Sequence, residues 1–139
     1  MVALVIGTHG KSSEELLKSA EMIYGKQENV AAVTFEPGEN TDDLLMRYRE
    51  KMSELNCQEG VLFLVDLFGG SPFNAASRIA VENENMDVVT GVSIPMLLET
   101  FGVRAGSSVQ EVLIVAKEAG IKSIKSLKET LSQSNEEDL

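Results

Sequence analysis

Cysteine, histidine and tryptophan are scarce in this sequence of 139 residues, which has one cysteine, one histidine and no tryptophan. Cys57 alone cannot form a disulfide within the chain, and one cysteine with one histidine is too few for a zinc site. No apolar run approaches the roughly 18 residues of a membrane span. No positively charged region precedes the apolar N-terminal run, so we expect no signal peptide and a cytoplasmic location.

Basic residues are also few: 12 Lys and Arg stand against 22 Asp and Glu, for a net charge of −10. Binding to a phosphate backbone needs clustered Lys and Arg, so we expect no nucleic-acid partner. The charge also disfavours anionic membrane surfaces, but it permits docking to proteins with basic or apolar patches. The apolar content of 43% is typical of a globular protein. We expect one domain over residues 1–130 and an acidic, disordered tail over 131–139.

Strand-like and helix-like segments alternate along the chain. The predicted strands cover residues 2–6, 29–35, 61–65 and 87–92. Segments with helical spacing lie between them. This alternation predicts a three-layer α/β fold with a mostly parallel sheet and right-handed crossovers. For so short a chain the flavodoxin-like strand order 2-1-3-4 is the better choice. Residues 121–127 (IKSIKSL) have a period of three, which leaves strand and helix both open.

Capping residues predict where four of the helices begin. These are Ser12 with Glu15, Thr41, Ser71 with Pro72, and Ser108 with Glu111.

His9 and Asp66 form the most informative pair. His9 lies in the turn just past the first strand, and Asp66 directly follows the third. In the order 2-1-3-4 these strands are neighbours, about 4.8 Å apart, at the switch point where ligands bind. A carboxylate that accepts from Nδ1–H would leave Nε2 of the imidazole as a nucleophile toward phosphorus. The alternative is a structural histidine beside an aspartate that caps a turn.

Gly69, Gly70 and Ser71 lead into a helix N-terminus, where backbone N–H groups and the helix dipole favour anions. A tight turn with a capped helix would explain the same residues. The sequence has no G-K-[ST] motif and no ligand set that reads as a magnesium site. A nucleoside triphosphate is therefore not expected as the direct donor, and we expect neither a metal nor a cofactor.

Together these segments resemble the IIA domain of the mannose family of sugar phosphotransferase systems. The matching stretches are VIGTHG (5–10), PGEN (37–40), GVLFLVDLFGGSPFNAASR (60–78) and GVSIPMLLET (91–100). The resemblance implies that His9 accepts a phosphoryl group from the phosphocarrier HPr and passes it to a IIB partner. It also implies that Asp66 orients His9 and that Ser71 lies near the phosphoryl group. Some members have a threonine where this chain has Leu67, so that position offers no hydroxyl.

The resemblance also bears on assembly. In this family the segment that corresponds to residues 121–127 is an antiparallel strand exchanged between the subunits of a homodimer. The open edge of the fourth strand agrees with such pairing, whereas a terminal helix on its own monomer is the alternative. Some members fuse IIA to IIB; we expect a separate IIB here, with the membrane subunits IIC and IID contacted only indirectly.

Two other functions stay open, and so does the sugar. One is a phosphotransfer subunit of a dihydroxyacetone kinase, which also uses a histidine on its N-terminal strand. The other is a non-catalytic flavodoxin-like module that binds a small anion or a flavin.

Overall fold

A computed structural model describes residues 1–137 of the chain. Four strands and six helices lie within this range. The strands are β1 (Ala3–His9), β2 (Val30–Phe35), β3 (Val61–Val65) and β4 (Met86–Thr90). The helices are α1 (Ser12–Tyr24), α2 (Thr41–Ser53), α3 (Gly70–Ala80), α4 (Ile94–Val103), α5 (Val109–Lys122) and α6 (Leu127–Glu137).

The four strands form one parallel sheet in the order β2-β1-β3-β4, which confirms the predicted topology. The first six residues of β1 and all of β3 are buried, as expected for central strands covered on both faces. Among the described residues, β4 pairs only with β3 and therefore forms an edge of the sheet. The carboxyl ends of β1 and β3 lie side by side at the switch point.

The sheet separates two apolar layers because alternate side chains of a strand point to opposite faces. Leu4 and Ile6 of β1 belong to the layer packed against α1, α4 and α5. Val5 belongs to the layer packed against α2 and α3. This is the predicted three-layer arrangement. No helix within residues 1–137 combines the length and apolar character needed to cross a bilayer.

The start of α1 differs from the prediction. Ser12 is the first residue of the helix, Lys11 is the N-cap, and no capping box forms with Glu15. Instead, the buried Oγ1 of Thr8 accepts a hydrogen bond from the backbone N–H of Ser13 at 2.7 Å. A side chain from the preceding strand thus satisfies one of the free N–H groups of this helix.

The capping predictions for α2 and α5 had different outcomes. Asn40 rather than Thr41 caps α2, in a reciprocal capping box with Asp43. Thr41 is the first residue of this helix, and its hydroxyl contacts Ser71 instead. The capping box of Ser108 and Glu111 at the start of α5 is confirmed.

Residues 121–127 form no strand in this structure of one chain. The first two complete α5, and the last begins α6. Ser126 fixes this new start, since its Oγ accepts from the N–H of Glu129 at 3.3 Å and its carbonyl from the N–H of Thr130 at 3.0 Å. The helix α6 extends to Glu137 where a tail was expected, and residues 138 and 139 lie outside the described range.

Tyr48 of α2 packs against Gly7 of β1 and is bonded to α3, close to the switch point. A side chain at position 7 would collide with the Tyr48 ring, since an added Cβ would lie 2.8 Å from Cζ and closer still to the hydroxyl. Tyr48 is fully buried, and its hydroxyl donates to the carbonyl of Pro72 at 3.0 Å. Burial raises the pKa of Tyr48, and the negative charge of Asp66 adds to this. The phenol therefore stays a donor that holds α2 against the first turn of α3.

Candidate functional site

His9 is the last residue of β1, and its side chain is 45% exposed. Its partner across the sheet is Phe35, the last residue of β2. The two rings meet edge to face at 84°, with their centroids 5.9 Å apart. Phe35 also binds the backbone after His9, because the N–H of Gly10 donates to the Phe35 carbonyl at 2.7 Å. Phe35 therefore supports one side of the imidazole.

Asp66 follows β3 and binds His9 twice with one carboxylate oxygen. Its Oδ2 accepts from the backbone N–H of His9 at 2.9 Å and lies 2.8 Å from Nδ1 of the ring. Its Oδ1 accepts from the backbone N–H of Leu67 at 3.1 Å. The structure thus brings together the two residues that the topology predicted to meet.

The hydrogen-bond partners decide the tautomer of the ring. An ionised carboxylate only accepts hydrogen bonds, so Nδ1 must carry the proton that it shares with Asp66. In the neutral imidazole Nε2 then keeps its lone pair. The free lone pair belongs to the nitrogen that the carboxylate does not bind. The ring can therefore act as a nucleophile through Nε2.

Gly70 lies directly against this nitrogen. A Cβ built on Gly70 would lie 3.1 Å from Nε2 and 3.0 Å from Cε1 of His9. The φ angles of Gly69 and Gly70 are +106° and +77°, in the region that favours glycine. This turn brings bare backbone to the reactive edge of the imidazole, and no side chain stands between them.

Helix α3 begins at this glycine turn, two residues earlier than predicted. Gly69 is its N-cap, and no side chain in the described part of the chain caps it. Ser71, predicted to be the cap, instead places its Oγ 2.8 Å from Oγ1 of Thr41. The first N–H groups of a helix lack partners within it. The site therefore combines an imidazole nucleophile with a helix start suited to an anion.

Comparison with known proteins agrees with this geometry. A family model described as "PTS system fructose IIA component" matches residues 3–117. The chain is 51% identical over 128 residues to the mannose-specific EIIAB component of Escherichia coli K12, a match that covers 91% of this chain and 40% of the relative. It is 36% identical over 113 residues to the fructose-specific EIIA component of Bacillus subtilis, covering 81% of this chain and 77% of the relative.

The chain belongs to the mannose family of IIA components of the sugar phosphotransferase system. A solved EIIA structure from Streptococcus agalactiae superposes with a TM-score of 0.84 at 26% identity, covering 93% of this chain and 99% of that one. IIA components are phosphotransferase components. The chain spans 40% of the length of the Escherichia coli relative.

Two contacts of this IIA site could not be found from the sequence. Phe35 ends an ordinary apolar strand, and nothing in its neighbours signals contact with a histidine 26 positions earlier. Thr41 looked like a helix cap, but its hydroxyl meets Ser71, 30 positions away. Both contacts depend on how elements pack together, and a single sequence carries no local signal for them.

Opposing effects set the pKa of Asp66. Partial burial raises it, but hydrogen bonds from the backbone N–H and the ring of His9 lower it by more, and the net pKa lies below the ordinary carboxyl value. The ionised carboxylate is therefore stabilised in the folded protein. Its contribution to stability is complete above the pKa of an unfolded aspartate, about 3.9, and is lost as the pH falls through the lowered native value.

We expect this linkage to appear in acid unfolding. The free energy of unfolding of the wild type should fall more steeply below about pH 4 than that of Asp66→Asn, which has no carboxylate to protonate at this position. Urea titrations at a series of pH values measure both slopes. Equal slopes would show that Asp66 has the same pKa in the folded and unfolded chains.

Proposed function

We propose that this IIA component is a phosphohistidine carrier. It accepts a phosphoryl group from phospho-HPr on Nε2 of His9 and passes it to the IIB component of a mannose-family sugar transporter. The observation that carries the proposal is the 2.8 Å contact of Asp66 Oδ2 with Nδ1, which leaves Nε2 as the free nucleophile. The carrier works in the cytoplasm and reaches the membrane subunits IIC and IID only through IIB.

The chemistry needs only one new bond on this chain. The lone pair of Nε2 attacks phosphorus, the N–P bond forms, and the donor's bond to phosphorus breaks with its electron pair returning to the donor. His9 keeps its Nδ1 proton, so its ring becomes positively charged. The carboxylate of Asp66 already lies against that proton and stabilises the charge as it develops. Transfer to IIB runs the same steps in reverse.

The start of α3 suits the phosphoryl oxygens. A Cβ at position 70 would lie 3.1 Å from Nε2, so the glycine leaves this side of the ring open, and Ser71 follows with a hydroxyl. Backbone N–H groups and the dipole at a helix N-terminus stabilise negative charge. Gly69, Gly70 and Ser71 are therefore the phosphoryl-binding residues of this proposal. They supply hydrogen bonds and electrostatics, and the bond-making atom is on His9.

Labelling tests the proposal directly. With phosphoenolpyruvate, enzyme I and HPr, the wild type should acquire one acid-labile, base-stable phosphate per chain. His9→Ala should fold and acquire none, because His9 is the only histidine in the chain. Undiminished labelling of His9→Ala would refute the proposal.

Asp66→Asn tests the contribution of the carboxylate to the transfer rate. An amide cannot offset the positive charge of the phosphorylated ring, so we expect labelling at a rate about 10- to 100-fold below wild type. A wild-type rate in this variant would mean that Asp66 only caps the turn after β3 and does not assist transfer.

The two neighbouring glycines provide a matched pair of variants. Gly70→Ala places a methyl group about 3 Å from Nε2, so we expect it to block the phosphoryl group and lower the transfer rate at least 100-fold. Gly69→Ala keeps the backbone N–H through which position 69 would bind the phosphoryl group, and it carries similar backbone strain at positive φ, but its methyl group meets no atom within 4 Å. It should lose stability to a similar extent and keep most of its transfer rate. Equal rates in the two variants, measured by rapid quench, would contradict this assignment.

We also propose that the chain forms a homodimer through residues 121–127. A groove of about 680 Å³ lies along β4, whose outer edge has no strand partner within residues 1–137. Ile121 and Ile124 line this groove. Ile121, Ile124 and Leu127 are each at least 70% exposed in the single chain. Pairing of this segment with β4 of a second subunit would cover both the edge and the apolar side chains.

A charge placed in this segment tests the dimer. Ile124→Asp should convert a dimer to a monomer in sedimentation equilibrium, because a carboxylate cannot be buried without a partner. Ile114→Asp is the control, since Ile114 is also exposed but does not line the groove. A dimer that survives Ile124→Asp, or a wild type that is monomeric, would refute this mode of assembly.

A further inference from the structure

The hydroxyl groups of Thr41 and Ser71 form a contact that the proposed chemistry has not yet used. Their oxygens are 2.8 Å apart and partly buried, and either can be the donor. The contact joins the first residue of α2 to the second residue of α3. Ser71 is next in the chain to Gly70, which lies against Nε2 of His9. The Thr41 hydroxyl therefore contacts the residue that follows Gly70 in the chain.

Several contacts fix the first turn of α2 where Thr41 begins it. The capping box holds the helix start, with Asn40 and Asp43 each accepting from the other's backbone N–H at 2.9 and 3.0 Å. In the preceding loop the carboxylate of Glu39 accepts from the N–H of Glu36 at 2.7 Å and forms an ion pair with Arg47. These bonds leave the Thr41 backbone little freedom to move.

The relative position of α2 and α3 is fixed as well. Tyr48 donates to the carbonyl of Pro72, the residue that follows Ser71, at 3.0 Å in the buried core. Arg78 of α3 pairs with Asp42 of α2 at 2.9 Å on the surface. The Thr41–Ser71 distance therefore does not depend on the two hydroxyls holding the helices together. Their hydrogen bond is therefore not required to join α2 to α3.

The number of hydroxyl protons decides in which direction the Thr41–Ser71 hydrogen bond runs. A hydroxyl has one proton to donate, and the oxygens of a dianionic phosphoryl group can only accept. In the proposed function Ser71 donates its single proton to the phosphoryl group, which leaves its Oγ as an acceptor. Thr41 is then the donor to Ser71. In this direction the two hydroxyls form a chain that ends on the phosphoryl group, and each bond polarises the next.

We propose that Thr41 is a positioning residue for phosphoryl transfer, donating to Ser71 Oγ and so directing the Ser71 O–H toward the phosphoryl group on His9. This inference rests on the proposed function of His9 and Ser71. Thr41 acts through Ser71 and touches no reacting atom. Without it, the Ser71 hydroxyl rotates freely, and part of its time is spent away from the phosphoryl oxygens.

Four variants test this assignment in the labelling assay above: Thr41→Val, Thr41→Ser, Ser71→Ala and the double variant Thr41→Val with Ser71→Ala. Single-turnover transfer from phospho-HPr to His9 is followed by rapid quench, with thermal melting as a check on folding. We expect Thr41→Val to be about fivefold to tenfold slower, since a net hydrogen bond of this kind is lost. Thr41→Ser keeps a hydroxyl and should retain at least half of the wild-type rate.

The double variant separates positioning from a general effect on α2. If Thr41 acts through Ser71, the double variant transfers no more slowly than Ser71→Ala alone, because the hydroxyl that Thr41 orients is already gone. A wild-type rate in Thr41→Val, a loss in Thr41→Ser equal to that in Thr41→Val, or losses that multiply in the double variant would overturn the inference. The wild type and His9→Ala report on the proposed function independently. Failure of the wild type to take label would refute that function, whereas normal wild-type labelling with one of the three patterns above would refute only the role of Thr41.

Discussion

One carboxylate oxygen of Asp66 holds His9 in two places, at the backbone N–H and at Nδ1 of the ring. The rest of the site depends on this interaction. The backbone bond fixes where β1 ends, and the ring bond fixes both the orientation and the tautomer of the imidazole. Only the parallel pairing of β1 with β3 places the two residues within reach. The strand order of the sheet thus has a direct chemical consequence.

The magnitude of this interaction indicates what it is for. The His9 side chain is 45% exposed and that of Asp66 is 26% exposed, so solvent screens the pair. An exposed ion pair contributes about 0–1 kcal/mol to stability. An orienting group next to a nucleophile can change a rate by about 10- to 100-fold. In the proposed carrier Asp66 therefore contributes far more to the transfer rate than to stability, and the exposed side chain of His9 is open to a protein partner.

The sequence was sufficient for the parts of the molecule that local chemistry decides. The apolar runs of β1 and β3 have no polar alternation, which identified them as central strands. Strand–helix alternation then gave the sheet order, and the order brought His9 to Asp66. The capping box of Ser108 and Glu111 was also readable, because both partners lie within one helical turn.

Long-range packing decided what the sequence could not reveal. Ser12 has the spacing of a capping box, but the hydroxyl of Thr8 reaches the same helix start from β1. Two glycines at positive φ start α3 before Ser71 and free its hydroxyl for Thr41. Residues 121–127 have the apolar content of a strand, yet Ser126 begins a helix there in the single chain.

The tautomer of the His9 ring is the most direct test of the account as a whole. Long-range proton–nitrogen correlation NMR on 15N-labelled protein can report it without ambiguity, because the chain has one histidine. In the neutral ring we expect Nδ1 to carry the proton and Nε2 to show the shift of an unprotonated nitrogen. Asp66→Asn should reduce that preference. A neutral ring protonated mainly at Nε2 in the wild type would contradict the account, because the free lone pair would then lie on the nitrogen that faces Asp66.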